Sequence, residues 1–328
     1  MYTDGMELVA EKIIILVVLL IVLGKSAVWA IRSSVGLSRL AGISEFVISL
    51  VVITLISILP ETIIAILSAL QGSPALGLGT LIGSNVADLA LVFGAIALFA
   101  PHAIGAEQTF IKKDYVFLAF LLLPLALGFT GSYSRLDGVI LIAASVVFFL
   151  IMAEAKRRHR QDIRHYHDYR HALIKDVPIL ALSLLLMGGA AYYIVEYAGL
   201  IAAHAGVAPV LVGLLVIAPG TCLPELIFSI RAIRRKHNTL AFGDILGTVI
   251  TDATLVLGIL AFIHPFSFNP RIIIVTGISM ILAGLFFFSL LRSGRKLTHG
   301  EGATLLAFYA LFVILEFMLR NWTPLITR

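Results

Sequence analysis

The chain has 328 residues, of which 60% are hydrophobic and 13% are charged, and its mean hydropathy is +1.04. Soluble globular chains are about 45–50% apolar, so this composition excludes a soluble protein and indicates a helical integral membrane protein. The net charge of +5 lies in loops between apolar segments, which argues against nucleic-acid binding. The single cysteine, Cys222, excludes a disulfide framework and a cysteine-based metal site.

Ten apolar stretches, each close to the roughly 20 residues that cross a bilayer, predict ten transmembrane helices. They cover residues 8–31, 43–70, 75–99, 113–131, 136–155, 177–198, 207–232, 239–263, 270–291 and 302–320. The first stretch is too long and too uniformly apolar for a cleaved signal peptide, so we expect it to remain as a membrane helix. Residues 156–176 form a basic loop between the segments 1–155 and 177–328.

The basic residues predict how the chain is oriented in the lipid bilayer. Most of the 24 Lys and Arg residues fall in the loops that follow the odd-numbered spans. The other loops and the termini carry Lys12, Arg135, Arg271, Arg320 and Arg328, and Lys25 lies inside the first span. By the positive-inside rule, we expect a multi-pass protein of the cell (plasma or inner) membrane with a cytoplasmic central loop and extracellular N- and C-termini. Nothing in the sequence indicates an obligate protein partner.

The two halves of the chain repeat one pattern at an offset of 164 residues. Ser57-Ile58-Leu59-Pro60-Glu61 corresponds to Thr221-Cys222-Leu223-Pro224-Glu225, and Gly83-Ser84 with Asp88 corresponds to Gly247-Thr248 with Asp252. The repeated motifs occupy residues 54–95 and 218–259. Because each repeat has an odd number of spans, the second enters the membrane in the opposite sense. The predicted fold is an all-α membrane protein of ten transmembrane helices, arranged as two inverted five-helix repeats.

Each repeat places a Pro-Glu pair and a later Asp inside an apolar span. Carboxylates within a bilayer are costly, and a duplicated set is typical of a transporter whose ion site lies between its repeats. Each proline should break its helix, and a hydroxyl residue four positions before each carboxylate lies on the same helix face. The candidate metal ligands are Glu61, Glu225, Asp88, Asp252, Ser57, Thr221, Ser84 and Thr248.

These candidate ligands are all hard oxygens, which favours Ca²⁺ as the bound ion. Ca²⁺ takes about six to eight oxygens in flexible geometry, whereas Mg²⁺ needs a tighter octahedron, and soft transition metals prefer His or Cys. Four ionised carboxylates exceed the charge of one divalent ion by two. Either a carboxyl is protonated, or several monovalent ions enter when the divalent ion leaves. Both alternatives predict an antiporter in which two cations compete for one set of oxygens.

Two other functions stay open at this point. A passive cation channel would need an open pore with weak binding at several sites, whereas paired glutamates on broken helices favour a closed site. An intramembrane aspartyl protease is a remote alternative, because Phe242-Gly243-Asp244 weakly resembles the Gly-x-Gly-Asp element of those enzymes. We interpret Asp244 as a residue at the cytoplasmic start of its helix that stabilises the helix dipole, with a role in ion entry as the alternative.

The repeated motifs resemble those of the calcium/cation antiporter family, whose best-known members are sodium/calcium exchangers. That family carries a Gly-Thr-Ser-Leu-Pro-Glu element, followed by Gly-Ser-Asn with an Asn or Asp four residues after the Ser. Gly220-Thr221-Cys222-Leu223-Pro224-Glu225 is similar to the first element, and Gly83-Ser84-Asn85-Val86-Ala87-Asp88 is similar to the second. The first repeat's Ser57-Ile58-Leu59-Pro60-Glu61 and the second repeat's Gly247-Thr248 with Asp252 are looser matches.

The resemblance implies a secondary antiporter, not an enzyme, that exports Ca²⁺ in exchange for Na⁺. Glu61 and Glu225 would be the central Ca²⁺ ligands, the other six candidates would complete the site, and the first and sixth spans would slide to alternate access. Ile58 and Cys222 stand where the family often has hydroxyls, and Asp88 stands where sodium exchangers often have Asn. These departures leave H⁺ open as the counter-transported ion.

Overall fold

A computed structural model describes residues 2–40, 53–105, 110–111, 113–156, 169–294 and 296–319. Its helices are α1 (Tyr2–Leu40), α2 (Thr54–Ser57), α3 (Leu59–Leu70), α4 (Pro74–Val86), α5 (Phe93–Phe99), α6 (Asp114–Gly128), α7 (Arg135–Lys156), α8 (Tyr169–Ala205), α9 (Pro209–Val212), α10 (Ala218–Thr221), α11 (Leu223–Arg234), α12 (Asn238–Thr251), α13 (Leu257–Ile263), α14 (Pro270–Gly294) and α15 (His299–Leu319). Three π-helical turns join neighbouring helices and span Ala87–Val92, Gly213–Ile217 and Asp252–Val256. The short strands are β1 (Ile104–Gly105), β2 (Ser132–Tyr133), β3 (Phe266–Ser267) and β4 (Lys296–Leu297).

Within the described part of the chain, eight helical segments are long and apolar enough to cross a membrane. They correspond to eight of the ten predicted spans. The other two predicted spans, 43–70 and 113–131, coincide with the shorter apolar helices α3 and α6, and residues 43–52 of the former lie outside the described residues. The helical, multi-pass architecture is confirmed, whereas the count of ten spans and the extracellular termini stay predictions.

The first helix of each repeat is longer than hydropathy predicted. Helix α1 spans Tyr2–Leu40 where 8–31 was expected, and α8 begins at Tyr169, inside the segment expected to be a loop. Hydropathy identifies only the part of a helix that lies in the hydrocarbon core of the bilayer. The backbone hydrogen bonds of the helix can continue into the headgroup region on either side. The central connection therefore begins after Lys156 and ends before Tyr169, and residues 157–168 lie outside the description.

The helices that carry the candidate aspartates lie at the centre of the bundle. In both Pro74–Phe99 and Asn238–Ile263, 83% of the hydrophobic window is buried, against 28% for Ile174–Ala205 on α8. The central helices belong to one large hydrophobic cluster, whereas α1 and α8 pack mainly on each other in a second cluster that includes Leu23 and Ile194. The long helices are thus a peripheral pair beside a central core.

Two small antiparallel sheets join the repeats to each other. Strand β1 of the first repeat pairs with β4 of the second, and β2 of the first pairs with β3 of the second. The register is Ile104↔Leu297 in one sheet and Tyr133↔Phe266 in the other. Each sheet has a strand from each repeat. Under the offset of 164 residues, β2 corresponds to β4, and β1 corresponds to β3 within two residues. This arrangement is the one expected of a pseudo-two-fold axis.

Pairs of glycines allow helices of different repeats to touch through their backbones. A Cβ atom added at Gly94 would lie 3.0 Å from the carbonyl oxygen of Gly302, and one added at Gly258 would lie 2.8 Å from that of Gly138. The two contacts are equivalent under the offset of 164 residues. Small residues permit such close approach of membrane helices. A glycine pair therefore lets α5 pack closely on α15, and an equivalent pair lets α13 pack closely on α7.

The helices that follow β2 and β4 begin with equivalent capping boxes. Ser134 and Asp137 exchange hydrogen bonds, with Ser134 Oγ donating to Asp137 Oδ2 over 2.7 Å and Asp137 N donating to Ser134 Oγ over 3.2 Å. Thr298 and Glu301 repeat the arrangement, with distances of 2.8 Å and 3.3 Å. This reciprocal cap satisfies backbone donors at each helix start, so the symmetry extends to the helix boundaries.

Candidate functional site

Both Pro-Glu motifs break their helix at the same place, as the prolines predict. Helix α2 ends before Ile58 (φ −74°, ψ −4°), and α10 ends before Cys222 (φ −73°, ψ −2°). Pro60 and Pro224 then occupy the first turns of α3 and α11, where a missing N–H is tolerated. The break places each glutamate in the first turn of a new helix, near the positive end of the helix dipole.

Glu61 and Glu225 are buried at the centre of the bundle. Their exposed fractions are 1% and 0%, and none of their four carboxylate oxygens has a hydrogen-bond partner among the described residues. Glu225 interacts electrostatically with Glu61 and with Asp88. A buried ionised carboxylate normally has a cationic or hydrogen-bonding partner. These oxygens are therefore suited to hold a cation.

Asp88 and Asp252 lie in the π-helical turns that follow α4 and α12. Such turns are frequent at functional sites, because the wider turn changes where side chains point. Both aspartates are buried, and each interacts electrostatically with Glu61. Ser84 Oγ donates to Asp252 Oδ2 over 3.2 Å, while both oxygens of Asp88 lack a partner in the described part of the chain.

The candidate hydroxyls differ in what they contact. Thr221 donates to the backbone oxygen of Ala218 over 3.0 Å and lies beside the Glu61 carboxyl. Thr248 is buried, and its oxygen has no hydrogen-bond partner in the ranges described. Ser57 donates to Asp244 over 3.0 Å. All eight predicted ligands are buried, and among them the structure shows a hydrogen bond between Ser84 and Asp252. Their role as ligands stays a prediction.

The carboxylates alone do not converge on one point. Across the described ranges, no group of three or more His, Cys, Asp and Glu side chains is close enough to hold a metal ion without other ligands. A hard cation such as Ca²⁺ also accepts hydroxyl and backbone carbonyl oxygens. The donor set fits such an ion only if hydroxyls and the backbone at the helix breaks contribute alongside the glutamates.

The interpretation of Asp244 as a helix-start residue is wrong. Asp244 lies well inside α12, which has no acidic residue in its first turn, and the side chain is completely buried. Its Oδ1 accepts the Ser57 hydrogen bond, and its charge interacts with those of Asp88 and Glu225. The helix begins at Asn238, so the side chain faces the core instead of the helix end. Its spacing of four residues from Thr248 was the sequence signal that could have revealed this.

The residues at the two helix breaks are buried, and one of them contacts the opposite repeat. Cys222 is buried, and its Sγ lies 3.7 Å from the backbone oxygen of Ser84. Ile58, its equivalent, is also buried. Neither side chain supplies a hard oxygen where the related motif often has a hydroxyl, so at these two positions only the backbone carbonyl could bind a hard cation.

A cavity of about 10 Å³ adjoins Asp252 on the side of α14, which is about the space that one water molecule needs. Asn85 and Met280 also line it, and the Asn85 amide donates to Met280 Sδ over 3.4 Å. The remaining oxygens, Asn85 Oδ1 and Asp252 Oδ1, have no partner among the residues described.

Comparison with known proteins identifies relatives over almost the whole chain. The profile of the family described as "Sodium/calcium exchanger protein" matches residues 11–153 and 175–318. The sodium/calcium exchanger MaX1 of Methanosarcina acetivorans is 25% identical over 94% of this chain and 99% of its own. The inner membrane protein YrbG of Escherichia coli is 29% identical over 82% of this chain and 85% of its own.

Solved structures have the same fold. A structure of the sodium-calcium exchanger NCX_Mj, soaked with 2.5 mM Na⁺ and 0.1 mM Ca²⁺, superimposes with a TM-score of 0.67 over 94% of this chain and 98% of that one. Its sequence is 21% identical to this chain. The same exchanger soaked with 10 mM Na⁺ and 10 mM Sr²⁺ gives a TM-score of 0.66.

Proposed function

We propose, starting from the fact that this chain belongs to the sodium/calcium exchanger protein family, that it exports Ca²⁺ from the cell in exchange for Na⁺. As a member of that family it is a membrane transporter of inorganic cations and not an enzyme. The protease alternative is therefore set aside. The proposed location is the plasma or inner membrane, with the central basic segment in the cytoplasm.

The observation that carries the proposal is the buried pair Glu61 and Glu225. Each stands at the start of a half-helix, and their four oxygens have no hydrogen-bond partner in the described ranges. Two ionised carboxylates balance the charge of one divalent cation. In a water-excluded site that attraction is stronger than in water, and with further oxygen ligands it offsets the loss of water molecules from the ion. We infer that Ca²⁺ binds between these residues.

The remaining candidates complete the coordination of Ca²⁺ in this proposal. Asp88 and Asp252 flank the glutamates, and Ser57, Thr221, Ser84 and Thr248 add neutral oxygens. Ca²⁺ leaves when Na⁺ ions take over the same oxygens, because two sets of cations cannot occupy one group of ligands. Binding of either cargo excludes the other, which is the requirement for coupled exchange.

Alternating access then requires a moving element. Helices α1 and α8 pack mainly on each other, outside the central cluster, whereas glycine contacts and two small sheets lock the repeats together at the core. We infer that the α1–α8 pair slides past the core and exposes the site to each side in turn. A passive channel is disfavoured, because side chains of 0–1% exposure do not line an open pore.

H⁺ is the second candidate for the counter-transported ion, and one observation favours it. Asp88 is buried with both oxygens unpartnered in the described part of the chain, at the position where sodium exchangers often have Asn. A carboxyl can carry a proton, whereas an amide cannot. We retain Na⁺ as the principal proposal, because the family assignment and the relative MaX1 are both described as sodium/calcium exchangers.

Uptake of radioactive calcium into everted membrane vesicles tests this proposal, with Na⁺ and H⁺ gradients imposed separately. We expect uptake that depends on an opposing Na⁺ gradient and ceases when the gradient is collapsed. Uptake driven only by a proton gradient would transfer the coupling to H⁺. Equal flux without any gradient would overturn the antiporter assignment in favour of a channel.

A further inference from the structure

A cavity of about 370 Å³ opens on the outer surface of the bundle between α6 and α14. Its polar lining residues lie at the helix ends, because Asp114 begins α6 and Arg292 is in the last turn of α14. Its apolar lining residues Leu118 and Leu285 lie one to two turns further along the same helices. The cavity is therefore polar towards the helix ends and apolar towards the membrane interior. It contains none of the candidate cation ligands.

An ion pair fixes the arginine at the polar end of this cavity. Arg292 Nη2 pairs with Asp114 Oδ2, and Asp114 Oδ1 accepts a hydrogen bond of 2.7 Å from the backbone N of Tyr115. The side chain of Asp114 is 5% exposed, whereas that of Arg292 is 62% exposed. A guanidinium has five N–H donors in a planar fork, so Arg292 keeps donors for a second partner. Phosphate oxygens match that fork well.

The charged residues around the ion pair give this end of the helix pair a positive balance. Lys113 directly precedes Asp114, and Lys296 is exposed four residues after Arg292. Glu301 is the other carboxylate next to the end of α14, and its oxygens accept hydrogen bonds from nearby hydroxyls. Among the described residues here, three cationic side chains thus face two carboxylates. An anionic ligand is favoured over a cationic one.

The opposite end of the same helix pair has no charge at the matching positions. Under the offset of 164 residues, Asp114 corresponds to Ile278 and Arg292 corresponds to Gly128. The two helices also touch near that end, where a Cβ added at Gly277 would lie 2.8 Å from Leu125 Cγ. Only the end predicted to be cytoplasmic therefore carries the arginine. Basic pockets between membrane helices on the cytoplasmic side are suited to lipid headgroups.

We propose that the cavity between α6 and α14 binds one anionic glycerophospholipid, with its phosphate on Arg292 and an acyl chain along Leu118 and Leu285. Leu285 is 47% exposed, and Phe288, which is 3% exposed, closes the inner wall. A free phosphate ion would use only the arginine, whereas a lipid also fills the apolar part of the cavity. The inference goes beyond the proposed function and does not depend on which cations are exchanged.

The bound lipid would support helix packing behind the candidate cation site. Gly284 is the neighbour of Leu285 on α14, and a Cβ added there would lie 3.2 Å from Leu118 Cδ2 and 3.9 Å from Leu89 Cδ1. Leu89 follows Asp88 in the π-helical turn. The walls of the cavity therefore pack against the turn that carries a candidate ligand. A ligand that binds only the folded protein raises its stability by mass action.

Thermal unfolding of the purified full-length protein in a neutral detergent tests this proposal. The melting temperature is measured as phosphatidylglycerol, phosphatidylcholine or inorganic phosphate is added, and native mass spectrometry counts the lipid molecules retained. Arg292→Gln removes the phosphate ligand. Ser289→Trp, at an exposed residue that lines the cavity, fills the cavity and leaves the ion pair intact. Arg135→Gln, which changes an exposed arginine at the start of α7, is the matched control.

We expect phosphatidylglycerol to stabilise wild type and Arg135→Gln equally, phosphatidylcholine to stabilise them less, and inorganic phosphate to have no effect. Half-maximal stabilisation of Arg292→Gln should need at least about fivefold more phosphatidylglycerol, because one cationic contact is lost. Ser289→Trp should retain one lipid fewer than wild type and lose the stabilisation, which tests the cavity even if Arg292→Gln fails to fold.

Three results would overturn the proposal. A wild-type response to phosphatidylglycerol in Ser289→Trp would mean that lipid is attracted to the positive surface without entering the cavity. Equal stabilisation by phosphatidylcholine would remove the role of the anionic charge. Equal stabilisation by inorganic phosphate would show a site for a free anion instead of a lipid.

Discussion

In the first repeat, α4 and its π-turn present Thr80, Ser84 and Asp88 along one face, and in the second repeat α12 presents Asp244, Thr248 and Asp252 at the equivalent positions. Ser84 donates to Asp252 across the repeat boundary, but the symmetric bond from Thr248 to Asp88 is not made, and the Thr248 oxygen has no partner in the ranges described. The two helix faces have the same residue spacing but carry different side chains. The duplicated backbone therefore sets the positions of the polar side chains, and the residue type at each position sets which hydrogen bonds it makes.

The turns after α3 and α11 keep the same backbone geometry in both repeats, although the residue at the key position differs. Ser73 N donates to Ser68 O over 2.7 Å, and His237 N donates to Ala232 O over 2.9 Å. Both turns are Schellman motifs that need a residue with positive φ. Gly72 has φ 74°, and Lys236 has φ 64°. The second repeat thus keeps the turn despite the backbone strain of a non-glycine residue.

The largest effect should follow when either central glutamate loses its charge. We predict that Glu61→Gln and Glu225→Gln each reduce the initial rate of Ca²⁺ uptake by at least about 100-fold, because breaking a buried ionic contact removes about 3–5 kcal/mol. The exposed Glu196→Gln on α8 serves as the control and should transport normally. Full transport by one of the two variants would mean that only one repeat supplies the divalent ligand.

A second prediction concerns the helix contacts that hold the repeats together. A Cβ at Gly83 would lie 2.8 Å from the backbone oxygen of Leu214, whereas at Gly247 the nearest atom, at 2.6 Å, is a side-chain oxygen of Thr54. A backbone atom cannot rotate away, so Gly83→Ala should lower the free energy of unfolding by about 1–3 kcal/mol and Gly247→Ala by less. Thermal unfolding in detergent measures both.

The control for that comparison is Gly188→Ala on α8, where an added Cβ meets no atom within 4 Å. Its melting temperature should equal or exceed that of wild type, since alanine is the better helix former. Equal destabilisation by Gly83→Ala and Gly247→Ala would contradict the difference between backbone and side-chain contact.

The third prediction concerns the effect of Asp88 on the pH dependence of transport. Protons compete with cations for ionised carboxylates, so acid inhibits Ca²⁺ uptake, and removing one carboxyl removes one competing proton. Asp88→Asn should therefore retain transport and make its decline at low pH less steep. The uptake rate of wild type and variant is compared across a pH series. Superimposable profiles would mean that Asp88 carries no coupling proton.

The smallest effect is expected at the strained turn of the second repeat. Lys236→Gly should raise the free energy of unfolding by about 1 kcal/mol, because glycine adopts a positive φ without steric conflict. The reciprocal change, Gly72→Ala, meets no neighbouring atom within 4 Å, so any destabilisation there reports backbone strain alone. If both variants melt at the wild-type temperature, the positive φ at this turn has no energetic significance.

Sequence reasoning predicted those features that depend on one residue type in one local environment. The breaks at Pro60 and Pro224 follow from the missing N–H and the ring clash of proline. The helical class follows from the length of the apolar runs, and the family follows from the motifs around Glu61 and Glu225. The eight candidate ligands stay a prediction as ligands, although all eight lie in the buried centre.

The errors arose where a prediction depended on contacts between distant segments. Asp244 looked like a helix-start residue because it lies within the first two turns of its predicted span, and only the packing of Ser57 against it, 187 residues away in sequence, reveals a core position. The ends of α1 and α8 were also missed, since hydropathy does not register backbone hydrogen bonds beyond the hydrocarbon.

By itself, the sequence determined that this is a duplicated, helical membrane protein with paired carboxylates, because composition, periodicity and an internal offset are properties of the chain alone. The tertiary structure decided which of those carboxylates are buried, which hydroxyl donates to which carboxylate, and that Asp244 is one of the buried carboxylates. These are properties of juxtaposition, and the orientation of a side chain towards a partner in the other repeat is fixed only when the helices pack.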